Sequence, residues 1–199
     1  GDYFDSLNIS PAKQVSTFKD LITFKEANKN KVILLVGNHE YQYLGICNDI
    51  YSGYQRLYAS DYRDLLTAAI KKNFLQMCYT YKDFLFTHAG ISETWSKNNF
   101  IGKTFIQHNI NILFKKNPVA FKFTPGDRYN AYGNETCQSP IWIRPESLLK
   151  DMIKGYIQIV GHTKQKKISV YENLIIIDTL DDSQEFLIVE NGELKISNL

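Results

Sequence analysis

Residues 31–40 read Lys-Val-Ile-Leu-Leu-Val-Gly-Asn-His-Glu, an apolar run of strand length that ends in a polar turn. A run without polar alternation is typical of a strand buried on both faces of a parallel sheet. The preceding stretch, about 11–28, opens with the helix-capping pair Ser10-Pro11 and carries apolar residues at helical spacing. A helix followed by a buried strand predicts an α/β fold.

The remainder of the chain predicts further helices and a run of short strands. We expect helices at about 57–75, 104–116 and 146–154, and a loop rich in Pro, Gly, Asn and Asp at about 117–140. Short strands are expected at 77–81, 84–87, 156–160, 167–171, 174–178, 185–190 and 193–197. The dipeptide Asn191-Gly192 predicts a two-residue hairpin turn, so the chain is expected to end in antiparallel strands.

Composition and charge restrict the class of protein. The 199 residues suffice for one domain with a sizeable core and are too few for two. A net charge of +2 gives no electrostatic reason to expect binding to nucleic acid or to a membrane. No apolar run approaches the roughly 20 residues that span a bilayer. Cys47, Cys78 and Cys137 lack CxxC spacing, which favours a reducing compartment, and we expect a cytoplasmic protein.

Four polar clusters, each with a glycine, are expected at or just after the ends of apolar strands. They read Gly-Asp-Tyr-Phe-Asp at 1–5, Gly-Asn-His-Glu at 37–40, Thr-His-Ala-Gly at 87–90 and Gly-His-Thr at 161–163. Ligand sites of open α/β sheets lie outside the carboxyl ends of the strands, and Asp, Asn and His side chains suit Mn, Fe or Zn. A single histidine at a strand end is more often structural, but three of the four histidines occur in these clusters. The fourth, His108, falls in a predicted helix and is assigned no site role.

The four clusters resemble, in order and spacing, the motifs of the calcineurin-like metallophosphoesterases over residues 1 to about 180. Residues 141–144 (Ile-Trp-Ile-Arg) and the strand at 174–179 resemble the bacterial and phage branch of the phosphoprotein phosphatases. The resemblance implies an α/β fold, an α/β/β/α sandwich of two mixed sheets flanked by helices. It also implies a single domain over 1–199 with an insertion or cap region at 95–140 near the active site.

The resemblance further implies a centre with two divalent metal ions. Asp2 would bridge the two ions, and Asn38, His88 and His162 would complete the protein ligands of the second. Mn²⁺ is the expected ion, and Fe or Zn would also suit these ligands. Two such ions would activate a water molecule for attack on a phosphate ester.

The remaining site roles concern proton transfer and substrate binding. His39 would act as the general acid that protonates the leaving oxygen, and Asp5 would orient it. Arg144 would hold the phosphate oxygens, a task suited to the planar guanidinium group, and Asn38 would also contact the substrate. Arg128, in the long loop, is a further candidate for phosphate binding.

Two features depart from the family pattern. The first family motif, DxHG, which supplies an Asp and a His to the first metal, is absent from the 199 residues. We therefore expect a preceding segment that carries this motif and the first strands of the sheet. In addition, Ser6 stands where the family usually has an arginine, and Leu180-Asp181-Asp182 replaces a glycine-rich stretch.

Three functions are compatible with these observations. The favoured one is hydrolysis of phosphomonoesters, with phosphoserine and phosphothreonine in proteins as the expected substrates. A nucleotide hydrolase of the diadenosine tetraphosphatase type is an alternative, in which Tyr129 and Tyr132 could stack on a base. A non-catalytic binding module derived from the enzyme is another, suggested by the missing DxHG motif and by Ser6.

Overall fold

The computed structural model describes residues 1–47, 50–124 and 133–199, and within them helices surround a mixed β-sheet. Three helices have at least three turns: α1 (Pro11–Ala27), α3 (Ala59–Lys71) and α5 (Ile106–Lys116). Three are short: α2 (Asn38–Tyr41), α4 (Glu93–Asn98) and α6 (Pro145–Lys150). Single 3₁₀ turns span Gln42–Leu44, Arg56–Tyr58 and Pro118–Phe121.

The strands of the described residues form three sheets. Strands β1 (Leu34–Leu35) and β2 (Leu75–Gln76) form a parallel pair. The largest sheet has the order β3-β4-β5-β7-β6, formed by Cys78–Tyr81, Phe84–Thr87, Ile157–Val160, Leu174–Ile176 and Ser169–Val170. Its three central strands are parallel, and its two edge strands are antiparallel to their neighbours. Strands β8 (Glu185–Glu190) and β9 (Glu193–Asn198) form the predicted hairpin.

Contacts at the end of α1 explain why β1 begins only at Leu34, although the apolar run of the sequence begins earlier. The hydroxyl of Ser10 accepts a hydrogen bond from the backbone N–H of Lys13, which satisfies a free donor at the start of α1. At the other end of α1, the buried Lys25 donates from Nζ to the backbone carbonyls of Lys29 and Val32. Residues 29–32 therefore close the helix, and regular strand pairing begins at Leu34.

The main core packs α1 and α3 against the parallel strand pair. Phe18 of α1 and Leu66 of α3 are almost inaccessible to solvent, as is Val36 at the end of β1. Full burial of side chains of this size stabilises the fold by about 1.5–3 kcal/mol each. Phe4 enters the same core and stacks on Tyr62 of α3, with ring centroids 4.0 Å apart. This contact anchors the polar residues on either side of Phe4 beside the end of β1.

The predicted mixed α/β fold is confirmed, and the element boundaries differ at several points. The helix expected at 57–75 begins at Ala59 and ends at Lys71, because Asn73 adopts a left-handed conformation with φ of 56°. The helix expected at 146–154 ends at Lys150, because the backbone of Ile153 bonds back to Ile91. None of the helices in the described parts of the chain is long and apolar enough to cross a bilayer.

Candidate active site

Three of the predicted clusters follow the carboxyl ends of parallel strands. The turn at 37–40 follows β1, His88 follows β4, and His162 follows β5. The backbone N–H of Gly161 donates to the carbonyl of His88 at 2.9 Å, which joins the last two turns. Because these strand ends meet at one edge of the fold, side chains far apart in the sequence are brought into one group.

The cluster at 1–5 is held beside the 37–40 turn by Glu40. One carboxylate oxygen of Glu40 accepts hydrogen bonds from the backbone N–H groups of Gly37 at 2.8 Å and Asp2 at 2.7 Å. The other accepts from the backbone N–H of Tyr3 at 2.7 Å. Burial, together with the charge of Asp2, raises the pKa of Glu40. Sequence reasoning assigned Glu40 no role, although an acidic residue at this position of a helix start is a known capping signal.

The backbone approach at this point requires glycine. A Cβ atom added to Gly37 would lie 2.2 Å from Oδ1 of Asp2, and one added to Gly1 would lie 2.5 Å from the backbone nitrogen of Gly37. Both distances are far below van der Waals contact. The two glycines therefore let the Asp2 carboxylate reach the end of β1.

Asp2, Asn38, His88 and His162 converge on one small volume. Oδ1 of Asn38 lies 3.0 Å from Nε2 of His88 and 3.0 Å from Nδ1 of His162. The two ring nitrogens are 3.2 Å apart, and Nε2 of His88 lies 3.2 Å from Oδ2 of Asp2. The carboxylate and the two imidazoles could each offer one ligand atom within 4.8 Å of one another. The structure thus brings together all four residues that were predicted to bind the second metal.

The chemistry of this donor set fits a divalent transition metal. Burial, together with the charges of His88 and Arg144, holds the pKa of His162 well below its usual range, so its imidazole is neutral and has a lone pair. Burial alone would raise the pKa of Asp2, but the neighbouring His88 and His39 lower it, so Asp2 is an anion. A cation among these closely spaced oxygen and nitrogen lone pairs would relieve their mutual repulsion. Imidazole, amide and carboxylate together suit Mn, Fe or Zn.

His39 and Asp5 form a second pair beside this group. Nδ1 of His39 lies 2.8 Å from Oδ2 of Asp5, whose side chain is completely buried, whereas 26% of the His39 side chain is exposed. Burial lowers the pKa of His39, but the hydrogen bond to Asp5 and the negative charges of Asp2, Asp5 and Glu40 outweigh it, so the pKa is raised. This arrangement favours a protonated imidazole with one edge facing solvent.

Of the two arginines predicted to bind phosphate, the structure describes only Arg144. Arg144 immediately precedes α6, and its Nη1 lies 3.2 Å from the hydroxyl oxygen of Thr163 and 3.5 Å from the carbonyl oxygen of His162. Its half-buried guanidinium is therefore beside the group of Asp2, Asn38, His88 and His162, the candidate metal-ligand group. Arg128, Tyr129 and Tyr132 lie outside the described residues. His108 lies on the exposed side of α5.

Three site residues adopt left-handed backbone conformations. The φ angles are 62° for Asp2, 69° for Asp5 and 64° for His162. Such conformations cost on the order of 1 kcal/mol or more for residues with a side chain, although Asp and His tolerate them better than most.

Comparison with known proteins agrees with this geometry. No curated protein matches the chain significantly. A point mutant of a cold-active protein tyrosine phosphatase has 20% sequence identity and a TM-score of 0.62, with 91% of this chain and 61% of that one covered. The cold-active protein tyrosine phosphatase of a psychrophilic Shewanella species has 22% identity and a TM-score of 0.57, with 86% and 58% covered. At these identities the similarity establishes a shared fold.

The chain spans about three fifths of the length of these solved structures. The family model of the calcineurin-like phosphoesterases, whose members use divalent metals, matches residues 1–166, which include every described residue of the site. The chain belongs to the calcineurin-like phosphoesterase family.

Proposed function

We propose that the protein is a metal-dependent phosphatase that hydrolyses phosphomonoesters, with phosphoserine and phosphothreonine in proteins as its substrates. One observation carries this proposal: the group of Asp2, Asn38, His88 and His162 lies next to the hydrogen-bonded pair of His39 and Asp5. A metal-ligand group beside a histidine with a carboxylate partner supplies both requirements of ester hydrolysis, charge stabilisation and proton delivery.

Asp2, Asn38, His88 and His162 would hold a divalent ion, and we propose Mn²⁺. Divalent ions in such a centre would polarise the phosphate and lower the pKa of the attacking water. Nδ1 of His162 and Nε2 of His88 already face the shared volume. His88 is buried and His162 is partly buried, so the protein around them restricts the movement of both rings.

His39 would deliver a proton to the leaving oxygen. Because an ionised carboxylate only accepts hydrogen bonds, Nδ1 of His39 must donate to Asp5. Nε2 is then the atom that exchanges a proton with the substrate. The raised pKa of His39 keeps this proton in place near neutral pH, as a general acid requires.

Arg144 would bind the phosphate oxygens. Burial lowers its pKa, but an arginine remains charged under all ordinary conditions. The guanidinium is held near Thr163 and the backbone of His162, so it is oriented before substrate arrives. Planar paired donors of this kind match the oxygens of a phosphate.

The proposal is tested by phosphatase assays on the full-length protein. With Mn²⁺ present, we expect hydrolysis of p-nitrophenyl phosphate and of phosphoserine and phosphothreonine peptides, and loss of both activities on addition of a chelator. If the metal-loaded protein releases no phosphate from any of these substrates, the proposed activity is refuted. Hydrolysis of diadenosine tetraphosphate in preference to the peptides would favour the nucleotide hydrolase instead.

A second candidate substrate is phosphotyrosine, because the solved structures of similar fold are described as protein tyrosine phosphatases. An aromatic group also adjoins the site: the ring centroid of Trp142 lies 6.1 Å from that of His162 and 4.4 Å from that of Tyr51. Trp142 is buried, so Tyr51, the partly exposed member of this group, is the ring on which a phenyl group could stack. Comparing kcat/KM for one peptide sequence phosphorylated on serine, threonine or tyrosine decides between the substrates.

A further inference from the structure

The carboxylate of Asp5 is bound by two side chains besides His39. Nε2 of Gln42 donates to Oδ2 of Asp5 at 2.5 Å, and the hydroxyl of Tyr43 donates to Oδ1. Together with His39, they use both oxygens of a side chain that has no solvent access. A buried anion of this kind is retained only where several donors compensate for lost hydration.

The orientation of the Gln42 amide is fixed by its other end. Oε1 of Gln42 accepts a hydrogen bond from the backbone N–H of Tyr51 at 2.9 Å. A backbone N–H can only donate, so the amide oxygen must face Tyr51 and the amide NH₂ must face Asp5. Gln42 thus presents a donor to the carboxylate in one orientation only.

The hydroxyl of Tyr43 is fixed in the same way. Its oxygen accepts a hydrogen bond from the backbone N–H of Gln55 at 2.8 Å, so its own proton is available for Asp5. The ring is fully buried, stacks on Tyr54 at 4.8 Å between centroids, and meets Tyr62 edge-on at 4.9 Å. The hydroxyl therefore cannot leave Asp5 without displacing the surrounding aromatic side chains.

These contacts restrict the rotation of the carboxylate and hence the orientation of the imidazole. Tyr43 binds Oδ1 of Asp5 and Gln42 binds Oδ2, so the plane of the carboxylate is fixed. His39, which also binds Oδ2, therefore meets the carboxylate in one orientation. Misplacement of a reacting group by about 1 Å can cost on the order of 100-fold in rate. Hydrogen bonds that fix Asp5 would therefore affect the rate of proton transfer from His39.

On the basis of the proposed phosphatase function, we propose that Gln42 and Tyr43 are positioning residues. They hold the Asp5 carboxylate in the orientation that directs Nε2 of His39 towards the leaving oxygen of the substrate. Neither side chain is one of the candidate metal ligands, and each contacts the His39–Asp5 pair through the Asp5 carboxylate.

Leaving-group dependence in a Tyr43→Phe variant tests this role. The p-nitrophenolate ion leaves with little protonation, whereas the phenolate of phenyl phosphate needs a proton. We expect kcat for phenyl phosphate to fall by about 10–100-fold, the usual effect of losing a supporting hydrogen bond at a catalytic centre, and kcat for p-nitrophenyl phosphate to change little. KM and the amount of bound Mn²⁺ should remain unchanged. Gln42→Met should show the same pattern.

Tyr62→Phe is the matched control. It removes a hydroxyl from the same aromatic group, but this hydroxyl donates to the side chain of Gln55 rather than to Asp5. We expect Tyr62→Phe to lower thermal stability about as much as Tyr43→Phe while leaving the ratio of the two kcat values unchanged. An equal loss on both substrates in Tyr43→Phe, or no loss on either, would overturn the positioning role.

An NMR measurement separates this inference from the proposed activity. The proton on Nδ1 of His39 should give a downfield imidazole signal in the wild type and in Tyr62→Phe, and the signal should be lost through exchange in Tyr43→Phe. Persistence of the signal in Tyr43→Phe would refute the positioning role even if the protein hydrolyses esters. If the wild type hydrolyses no ester, the proposed function fails, and the spectra alone decide the positioning role.

Discussion

The buried carboxylate of Glu40 accepts a hydrogen bond of 2.7 Å from the backbone N–H of Asp2, a residue 38 positions earlier in the chain. The same oxygen binds the N–H of Gly37, and the other binds Tyr3. Glu40 therefore fixes the backbone that carries the Asp2 carboxylate, and it offers no ligand atom of its own to the candidate metal-ligand group.

Glu40→Gln should destabilise the protein. Glutamine keeps one oxygen acceptor, but its amide NH₂ would face at least one of the three backbone N–H groups that the carboxylate now binds, and that donor would lose its partner. We expect the free energy of unfolding to fall by about 2–3 kcal/mol, and Mn²⁺ affinity to fall with it because Asp2 is no longer fixed. Chemical denaturation and calorimetric titration measure the two effects. The exposed Glu26→Gln is the control, and equal stability of the two variants would contradict the anchoring role.

His88→Asn and His162→Asn should each weaken metal binding. Each removes one of four donor side chains while the other three remain in place. We expect a loss in Mn²⁺ affinity of at least about 100-fold, the upper range seen when only supporting groups of metal sites are changed. His108→Asn on the exposed face of α5 should bind Mn²⁺ like the wild type. Unchanged titration curves for both site variants would rule out this metal site.

His39→Asn should lower kcat and leave metal binding intact. Asparagine can still accept or donate a hydrogen bond near Asp5, but it cannot transfer a proton at neutral pH. General acid catalysis contributes about 10²–10⁴-fold, so kcat for a phosphopeptide should fall within this range. Metal analysis of the purified variant verifies that the ion is retained. A wild-type kcat in this variant would show that His39 has no part in the chemistry.

Arg144→Ala should weaken the binding of phosphate. A charge-assisted hydrogen bond contributes about 1.5–3 kcal/mol, so the inhibition constant of inorganic phosphate should rise by roughly 10–100-fold. Arg144→Lys should recover only part of this loss, because an ammonium group cannot form the paired contact. The exposed Arg56→Ala controls for the general loss of positive charge. Inhibition that is equal in Arg144→Ala and Arg56→Ala would exclude phosphate binding by Arg144.

The four residues proposed as metal ligands could be selected from the sequence because each lies within a short motif that resembles one of the family's motifs. Asn38, His88 and His162 each follow an apolar strand, and parallel strands end at a common edge. Sequence patterns also predicted the three longest helices, most of the strands and the turn at Asn191-Gly192, but not α2, α4 or β2. Local pattern was therefore sufficient wherever function depends on the position of a residue at a strand end.

The supporting residues could not be predicted in this way. Gln42 and Tyr43 act through Asp5, which lies 37 and 38 positions earlier, and no local pattern reports such a contact. Helix α2 has only four residues, too few for a periodic signal. The apolar run at 31–36 is longer than β1. The backbone N–H groups of Lys31 and Val32 donate to the carbonyl of Asn28 at the end of α1, and the carbonyl of Val32 accepts from the buried Lys25, so these residues do not pair in the sheet.

The spacing of the ligands along the chain has a consequence for folding. Asn38 and His88 are 50 positions apart, and His88 and His162 are 74 apart, yet their donor atoms lie within about 3 Å of one another. Because these side chains are brought together only in the folded chain, an ion bound here would bind the folded state in preference to the unfolded one. At a concentration 100 times the dissociation constant, such an ion would stabilise the folded chain by about 2.7 kcal/mol. The concentration of available metal would then affect the free energy of unfolding of the protein as well as its catalytic rate.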